Sequence, residues 1–227
     1  MSSFIDKLRD SPQGTQEIII VGVDPDVSIA GVAEIRAQVP VTRGVGAIKL
    51  TSARMVAVRV GTKRTGHERA ADASAQIQEA MEESFGLLPL QYRTIIETSE
   101  IYANRGEDWH VVISKANACI QLALVAGGVL ALCSPESTTR MVLPREWKGQ
   151  ASKAGTAFNC GKRMTTPTHR IMFSARTVGG SKTTPWVEYP PSVLYDEKGL
   201  PKAMEHAVDA LGIAFHGLDE YVAGVWA

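Results

Sequence analysis

Asp24 closes the apolar run "IIIVGV" (residues 18–23) and is followed at once by Pro25 and Asp26. Glu97 closes a second apolar run, "TII" (residues 94–96). Near the end of the chain Asp209 sits among Ala207, Val208, Ala210, Leu211 and Ile213, with His206 three residues earlier and therefore on the same helical face. Each acid has an ordinary explanation. Asp-Pro is a common turn dipeptide at a strand end, and an aspartate on a helix normally faces water. Together they suggest more. Carboxylates brought close raise one another's pKa values, and divalent cations relieve the repulsion. Oxygen-only ligands suit Mg²⁺ or Mn²⁺ rather than zinc. Two such ions about 4 Å apart can activate water and stabilise the leaving oxygen of a phosphodiester.

Positioning these groups requires strands that end together and a helix that crosses them. Residues 18–23 and 29–35 read as a buried strand and its hairpin partner, and 47–61 as a third strand. "ERAADASAQIQEAMEESFG" (68–86) predicts a helix stopped by Gly86. Residues 92–102 predict a strand carrying Glu97. Glu100 lies three positions on and so should point to the other side. Residues 111–132 predict a helix apolar on most faces and hence largely buried, either wholly within one subunit or at an interface between two. A strand is expected over 138–144, a helix over 166–176, a loop excursion near 177–198, and a last helix from Pro201 to about Leu218. Three strands, helix, strand, helix, strand, irregular region and helix make an α/β layout, a mixed five-stranded sheet flanked by helices, which matches an RNase H-like fold. A flexible arm over 1–17, a single domain over 18–227 and an irregular basic insertion around 145–198 complete the expected organisation.

Net charge is zero, yet nine Lys or Arg stand against one acid between Arg140 and Lys182, and seven against one between Arg43 and Arg69. Such blocks suggest an anionic partner, and Trp147 and Trp186 beside the later block favour nucleic acid over membrane. No membrane partner is expected, since the apolar run 118–133 is broken by Gln121 and falls short of a span. The opening segment lacks the apolar core of a signal peptide. Three cysteines (Cys119, Cys133, Cys160) without CxxC pairing suit free thiols in a reducing cytoplasm. Two decoys fail: "GTAFNCGKR" (155–163) departs from the phosphate-loop spacing and lacks its Ser or Thr, and "GVGAIK" (44–49) lacks a third glycine. No GxSxG occurs.

"VGVDPDVSIAGVA", "IIETSEIY", "VLPREWKG" and "HAVDALGIA", in that order, resemble the RuvC-type Holliday-junction resolvases of phage and organellar type. The resemblance spans most of 18–217. It implies a metal-dependent, structure-selective endonuclease acting on four-way DNA junctions, with Mg²⁺ (Mn²⁺ substituting) at two ions per site, and a homodimer. Asp24, Glu97 and Asp209 match the metal-binding acids, and His206 the fourth position, where it either binds metal or acts on the attacking water. Lys148 matches a basic residue near the scissile phosphate, and Lys153, Lys162 and Arg163 are expected to contact DNA. The chain has Asp-Pro-Asp where the family often has Asp-Pro-Gly, so Asp26 is a turn residue or a spare carboxylate. Other RNase H-fold nucleases, acting on flaps or RNA–DNA hybrids, and a catalytically silent branched-DNA-binding module are the competing classes.

Overall fold

The computed structural model describes residues 14–41, 47–60, 65–86, 92–100, 106–132, 138–149, 151–164, 169–177, 182–195, 200 and 204–225. Three long strands open the fold: β1 (Thr15–Asp24), β2 (Ile29–Pro40) and β3 (Lys49–Arg59), paired antiparallel in sequence order. β1 starts within the segment expected as an arm; residues 1–13 lie outside the described residues. Helix α1 (Gly66–Phe85) follows, ended by Gly86 at φ 60°, a left-handed position that favours glycine. β4 (Arg93–Glu97) then lies parallel to β1, and after helix α2 (Trp109–Leu132), β5 (Thr138–Val142) lies parallel to β4. These five strands are the expected mixed sheet.

Three more strands extend it. β6 (Ile171–Thr177) pairs parallel with β3, and β7 (Lys182–Thr183) and β8 (Val187–Tyr189) pair antiparallel with successive parts of β6. Among the described residues the sheet therefore has eight strands, in the order β5-β4-β1-β2-β3-β6-β7 with β8 also on β6. The helix expected over 166–176 is corrected to a strand from Ile171 onward, and 166–168 lie outside the described residues. Ile171 and Phe173 alternate into the core, and the open edge of β3 needs partners for its backbone groups. The excursion expected near 177–198 supplies β7, β8 and a short 3₁₀ turn (Pro191–Tyr195), with Pro185 interrupting the ladder between the two strands. Short helices α3 (Pro144–Trp147) and α4 (Lys153–Arg163) fill the rest of the basic region, and α5 (Met204–Ala223) closes the fold. Residues 201–203, where α5 was expected to begin, lie outside the described residues.

Strand alternation divides the core. Ile18 and Ile20 of β1, Ala33 and Ile35 of β2 and Ile95 of β4 face α5, joined by Ala157 and Cys160 of α4. Ile19, Val21, Val23, Val32 and Ile96 face α1 and α2. α2 departs from expectation. Only Val125, Ala126 and Val129 are buried, whereas Trp109, Val111, Ile113, Ile120, Leu124, Leu130 and Leu132 are exposed. Its apolar character exceeds what one packing layer on α1 can cover.

Candidate active site

β1 and β4 run parallel with Val23 opposite Ile96, so Asp24 and Glu97 end the two strands side by side. Both share the parity of residues that face α5 (Ile18 and Ile20 on β1, Ile95 on β4), so both carboxylates emerge on that face. Two glycines let α5 approach. A Cβ at Gly22 would stand 2.1 Å from the Ala210 carbonyl oxygen, and one at Gly31, directly opposite Asp24, would stand 2.0 Å from that of His206. Backbone rests on backbone, and the first turns of α5 are pressed onto the ends of β1 and β2. Asp209 and His206 thereby join Asp24 and Glu97.

Lysines complete the cluster. Val142, the last residue of β5, pairs with Glu97, and the chain turns at Leu143–Pro144 into α3. The Glu146 carboxylate accepts from the Leu143 N–H at 2.5 Å and fixes that turn. It returns Trp147 and Lys148 over Glu97. Trp147 Nε1 donates to Glu97 Oε2 at 2.6 Å, and Lys148 Nζ lies 3.7 Å from the same oxygen. Ser152 caps α4, accepting from Gly155 N, and the helix start carries Lys153, whose Nζ is 4.0 Å from Asp209 Oδ2. His206 Nδ1 is 3.9 Å from Asp24 Oδ2, an ion-pair separation too long for a hydrogen bond.

The electrostatics are those of crowded acids. Burial, then the charges of Asp24 and, more weakly, Asp209, push Glu97 up to about 7, against the opposing pull of Lys148 and Trp147. Burial and Asp24 likewise raise Asp209, opposed by Lys148, Lys153 and His206. Asp24 raises the His206 imidazole, more than burial and Lys153 lower it. Asp209 is 4% exposed, and its Oδ1 is buried without a hydrogen-bond donor among the described residues.

Three hard oxygen donors that disfavour one another's charge, one with an unpartnered buried oxygen, fit a Mg²⁺ or Mn²⁺ site. Among the described residues, however, no three His, Cys, Asp or Glu side chains form a ready-made metal cage. The cluster is open, with lysines among its acids.

The other expected contacts are placed differently. Lys162 and Arg163 lie at the far end of α4, roughly 15 Å along the helix from Lys153. Arg163 is held by both oxygens of Asp219, at 2.7 and 2.5 Å, and Lys162 Nζ lies 4.3 Å from the centre of the Phe158 ring. Neither joins the carboxylate cluster. Much of the basic block is likewise spent internally: Arg140 on Glu220, Arg145 on Glu100, Arg170 on Glu188, and Arg176 on Glu79 and Glu83. Glu100 thus lies outside the cluster in an ion pair. Asp26 is a turn residue, accepting from the backbone of Ser28 and Ile29 at 2.6 and 3.2 Å. Trp186 packs near Phe85 in the α1-side core, so only Trp147 of the two flanking indoles reaches the site. "GTAFNCGKR" is helical within α4, so it forms no phosphate loop. Cys119 and Cys160 are free; burial pushes the Cys160 thiol up to about 12. Cys133 lies outside the described residues.

Sequence reasoning missed the contact of Trp147 with Glu97 and the glycines beneath α5. The available signals were Pro144 directly after a strand and a glycine two residues before Asp24.

The sheet, its two helical layers and the acids at the strand ends define an RNase H-like fold. Among solved structures, Thermus thermophilus RuvC in complex with a Holliday junction substrate is similar at a TM-score of 0.51, with 14% identity, covering 91% of this chain and 96% of that one. A second Thermus thermophilus RuvC structure gives a TM-score of 0.49 at 15% identity, covering 91% and 97%. The human cytomegalovirus terminase nuclease domain gives 0.46 at 13% identity, covering 96% and 90%. No protein-family model matches the chain, and no curated protein matches it in sequence.

Proposed function

We propose that the protein is a metal-dependent endonuclease that cleaves phosphodiester bonds in four-way DNA junctions. The observation that carries this reading is the convergence of Asp24, Glu97 and Asp209 on the α5 face, with Asp209 Oδ1 buried and unpartnered. The RuvC-like fold supports it, because the similar Thermus thermophilus structure holds a Holliday junction.

Asp24, Glu97 and Asp209 are the groups that would hold divalent ions, Mg²⁺ with Mn²⁺ as substitute and two per site. Bound there, the ions supply an activated water and charge stabilisation at the phosphate. The protein's own side chains do the rest. Lys148 and Lys153 balance the acids and would meet the DNA phosphate, where an ammonium stabilises developing charge. His206, beside Asp24, either adds a nitrogen ligand or orients and deprotonates the attacking water. Lys162 adds a basic group further along α4, away from the chemistry, where Arg163 is paired with Asp219. Free thiols suit a reducing cytoplasm.

Cutting two opposed strands calls for two sites, and hence a symmetric dimer. On α2 the residues Ile113, Asn117, Ile120, Leu124, Gly127 and Ala131 follow a 4-3-4-3-4 spacing, and all but the partly covered Gly127 are exposed. That is the seam of a paired helix, apolar except at Asn117, and a single polar residue in such a seam fixes register at some cost in stability. By length and composition α2 would also suit a membrane span. Its packing on α1, where Ser74 Oγ donates to Val125 O at 3.0 Å, and the pairing of Lys115 with Glu107 favour the dimer. Light scattering should give twice the chain mass, and Leu124→Glu should halve it; a monomeric wild type would remove the dimer from the account.

The function is tested by offering a four-way junction, a flap, a linear duplex and an RNA–DNA hybrid in parallel with Mg²⁺. Paired symmetric nicks that ligase can seal, confined to the junction, are expected. Preferential cleavage of the flap or hybrid would reassign the site to another nuclease class, and binding without cleavage of any substrate would leave a DNA-binding module.

A further inference from the structure

We propose that Trp147 is a positioning residue for the Glu97 carboxylate, and that Gly212 is the notch in α5 that seats its indole. This rests on the reading of Glu97 as an active-site acid.

Trp147 could be taken for a packing residue at the edge of the core. Its contacts say otherwise. The indole N–H, which can only donate, meets Glu97 Oε2 at 2.6 Å across fifty residues of sequence. Lys148 Nζ approaches the same oxygen, at 3.7 Å. Both partners engage Oε2, so Oε1 is the oxygen Glu97 offers to the site. A glutamate with three free torsions would otherwise sample several rotamers.

A positioning residue must itself be held. The ring is gripped from three directions. A Cβ at Gly212 would stand 2.6 Å from Trp147 Cζ3 and 3.0 Å from Thr156 Cγ2, so the ring edge occupies the space any larger residue would take. Pro144 and the Glu146–Leu143 hydrogen bond fix the turn that carries it. The Lys148 ammonium sits 4.8 Å from the ring centroid, which also parks that ammonium beside Glu97. Gly212 lies three residues after Asp209, on the same face of α5. The indole therefore spans from the acid on β4 to the helix bearing the acid on α5, and sets their separation. Phenylalanine would fill the notch as well, but would leave Glu97 unheld.

Trp147→Phe keeps the ring and removes the donor. Gly212→Ala keeps the donor and displaces the ring. Each should slow junction cleavage at saturating DNA by about tenfold or more, the scale of one hydrogen bond to a charged group. Each should also weaken Mn²⁺ binding measured by electron paramagnetic resonance without DNA, while junction affinity in EDTA stays within twofold. Wild-type rate and Mn²⁺ affinity in Trp147→Phe would overturn the proposal, and so would a parallel loss of junction affinity and melting temperature, which marks a packing role. A wild-type rate in Gly212→Ala would remove the notch. Glu97→Gln separates the two layers of inference: an inactive Glu97→Gln beside a fully active Trp147→Phe defeats only the positioning role. A fully active Glu97→Gln defeats the assignment of Glu97 itself.

Discussion

Two buried carboxylates on opposite faces of the sheet are treated in opposite ways. Glu34, fully buried on β2 towards α1, accepts from Arg36 Nε and Nη2 at 3.0 and 3.2 Å and from Arg54 Nε and Nη2 at 2.9 and 2.7 Å. Arg54 also donates to the Ser84 and Phe85 carbonyls, so the network ties the end of α1 to the sheet. Asp209 is nearly as buried, yet its closest cation is 4.0 Å away and one oxygen has no donor among the described residues. The Glu34 network satisfies its charge and stabilises the fold. Asp209 is left short of partners, a cost that a domain tolerates where a ligand is to complete the set.

The largest expected effect belongs to the satisfied side. Glu34→Gln leaves two guanidiniums facing a neutral amide and should destabilise the fold by about 3–5 kcal/mol. Chemical denaturation would read this loss, and the variant's cleavage per folded molecule should match wild type. Loss of catalysis without loss of stability would blur the distinction between the two regions.

The opposite sign is expected across the sheet. Glu97, raised from 4.5 to about 7, holds its proton in the folded state where the unfolded chain releases it. Stability therefore falls as pH rises from about 4.5 to about 7, and the penalty is fully present above that window. In EDTA at pH 8, Glu97→Gln should be more stable than wild type by about 1–3 kcal/mol, with the advantage fading by pH 4.5. The same variant should not cleave. Denaturation at the two pH values checks the sign, and a destabilised Glu97→Gln at pH 8 would place Glu97 with Glu34 as a structural acid.

His206 contributes less. Its raised pKa means that the protonated ring favours the fold below the ordinary value of 6.5, a contribution lost as pH rises through the higher folded value. His206→Ala should remove that slope, lower the cleavage rate and flatten its pH profile near neutrality. An unchanged rate and profile would sink both roles offered for the imidazole. Smallest is Lys153→Ala, which should reduce the log–log salt dependence of junction binding by roughly one unit. Lys162→Ala should do the same only if DNA runs the length of α4.

The acids drew attention in the sequence because each ends or interrupts a strong apolar run, and Lys148 only through the resemblance of "VLPREWKG" to the family. What escaped depends on partners distant in sequence. Gly22, Gly31 and Gly212 matter only once α5 and Trp147 lie against them. β6 was missed because the open edge of β3, not local periodicity, decides its state. Arg163 was expected to meet DNA, and its pairing with Asp219, 56 residues away, could not be foreseen. α2 read as buried because apolar composition does not distinguish a core helix from one with an exposed apolar face.

The most direct test of the account is cleavage of a four-way junction with Mg²⁺ by wild type and by Asp209→Asn, alongside junction binding by both in EDTA. Paired nicks are expected from wild type and none from the variant, with affinities that agree within about twofold, since phosphate contacts rather than metal ligation dominate binding. Cleavage by Asp209→Asn at the wild-type rate would contradict it.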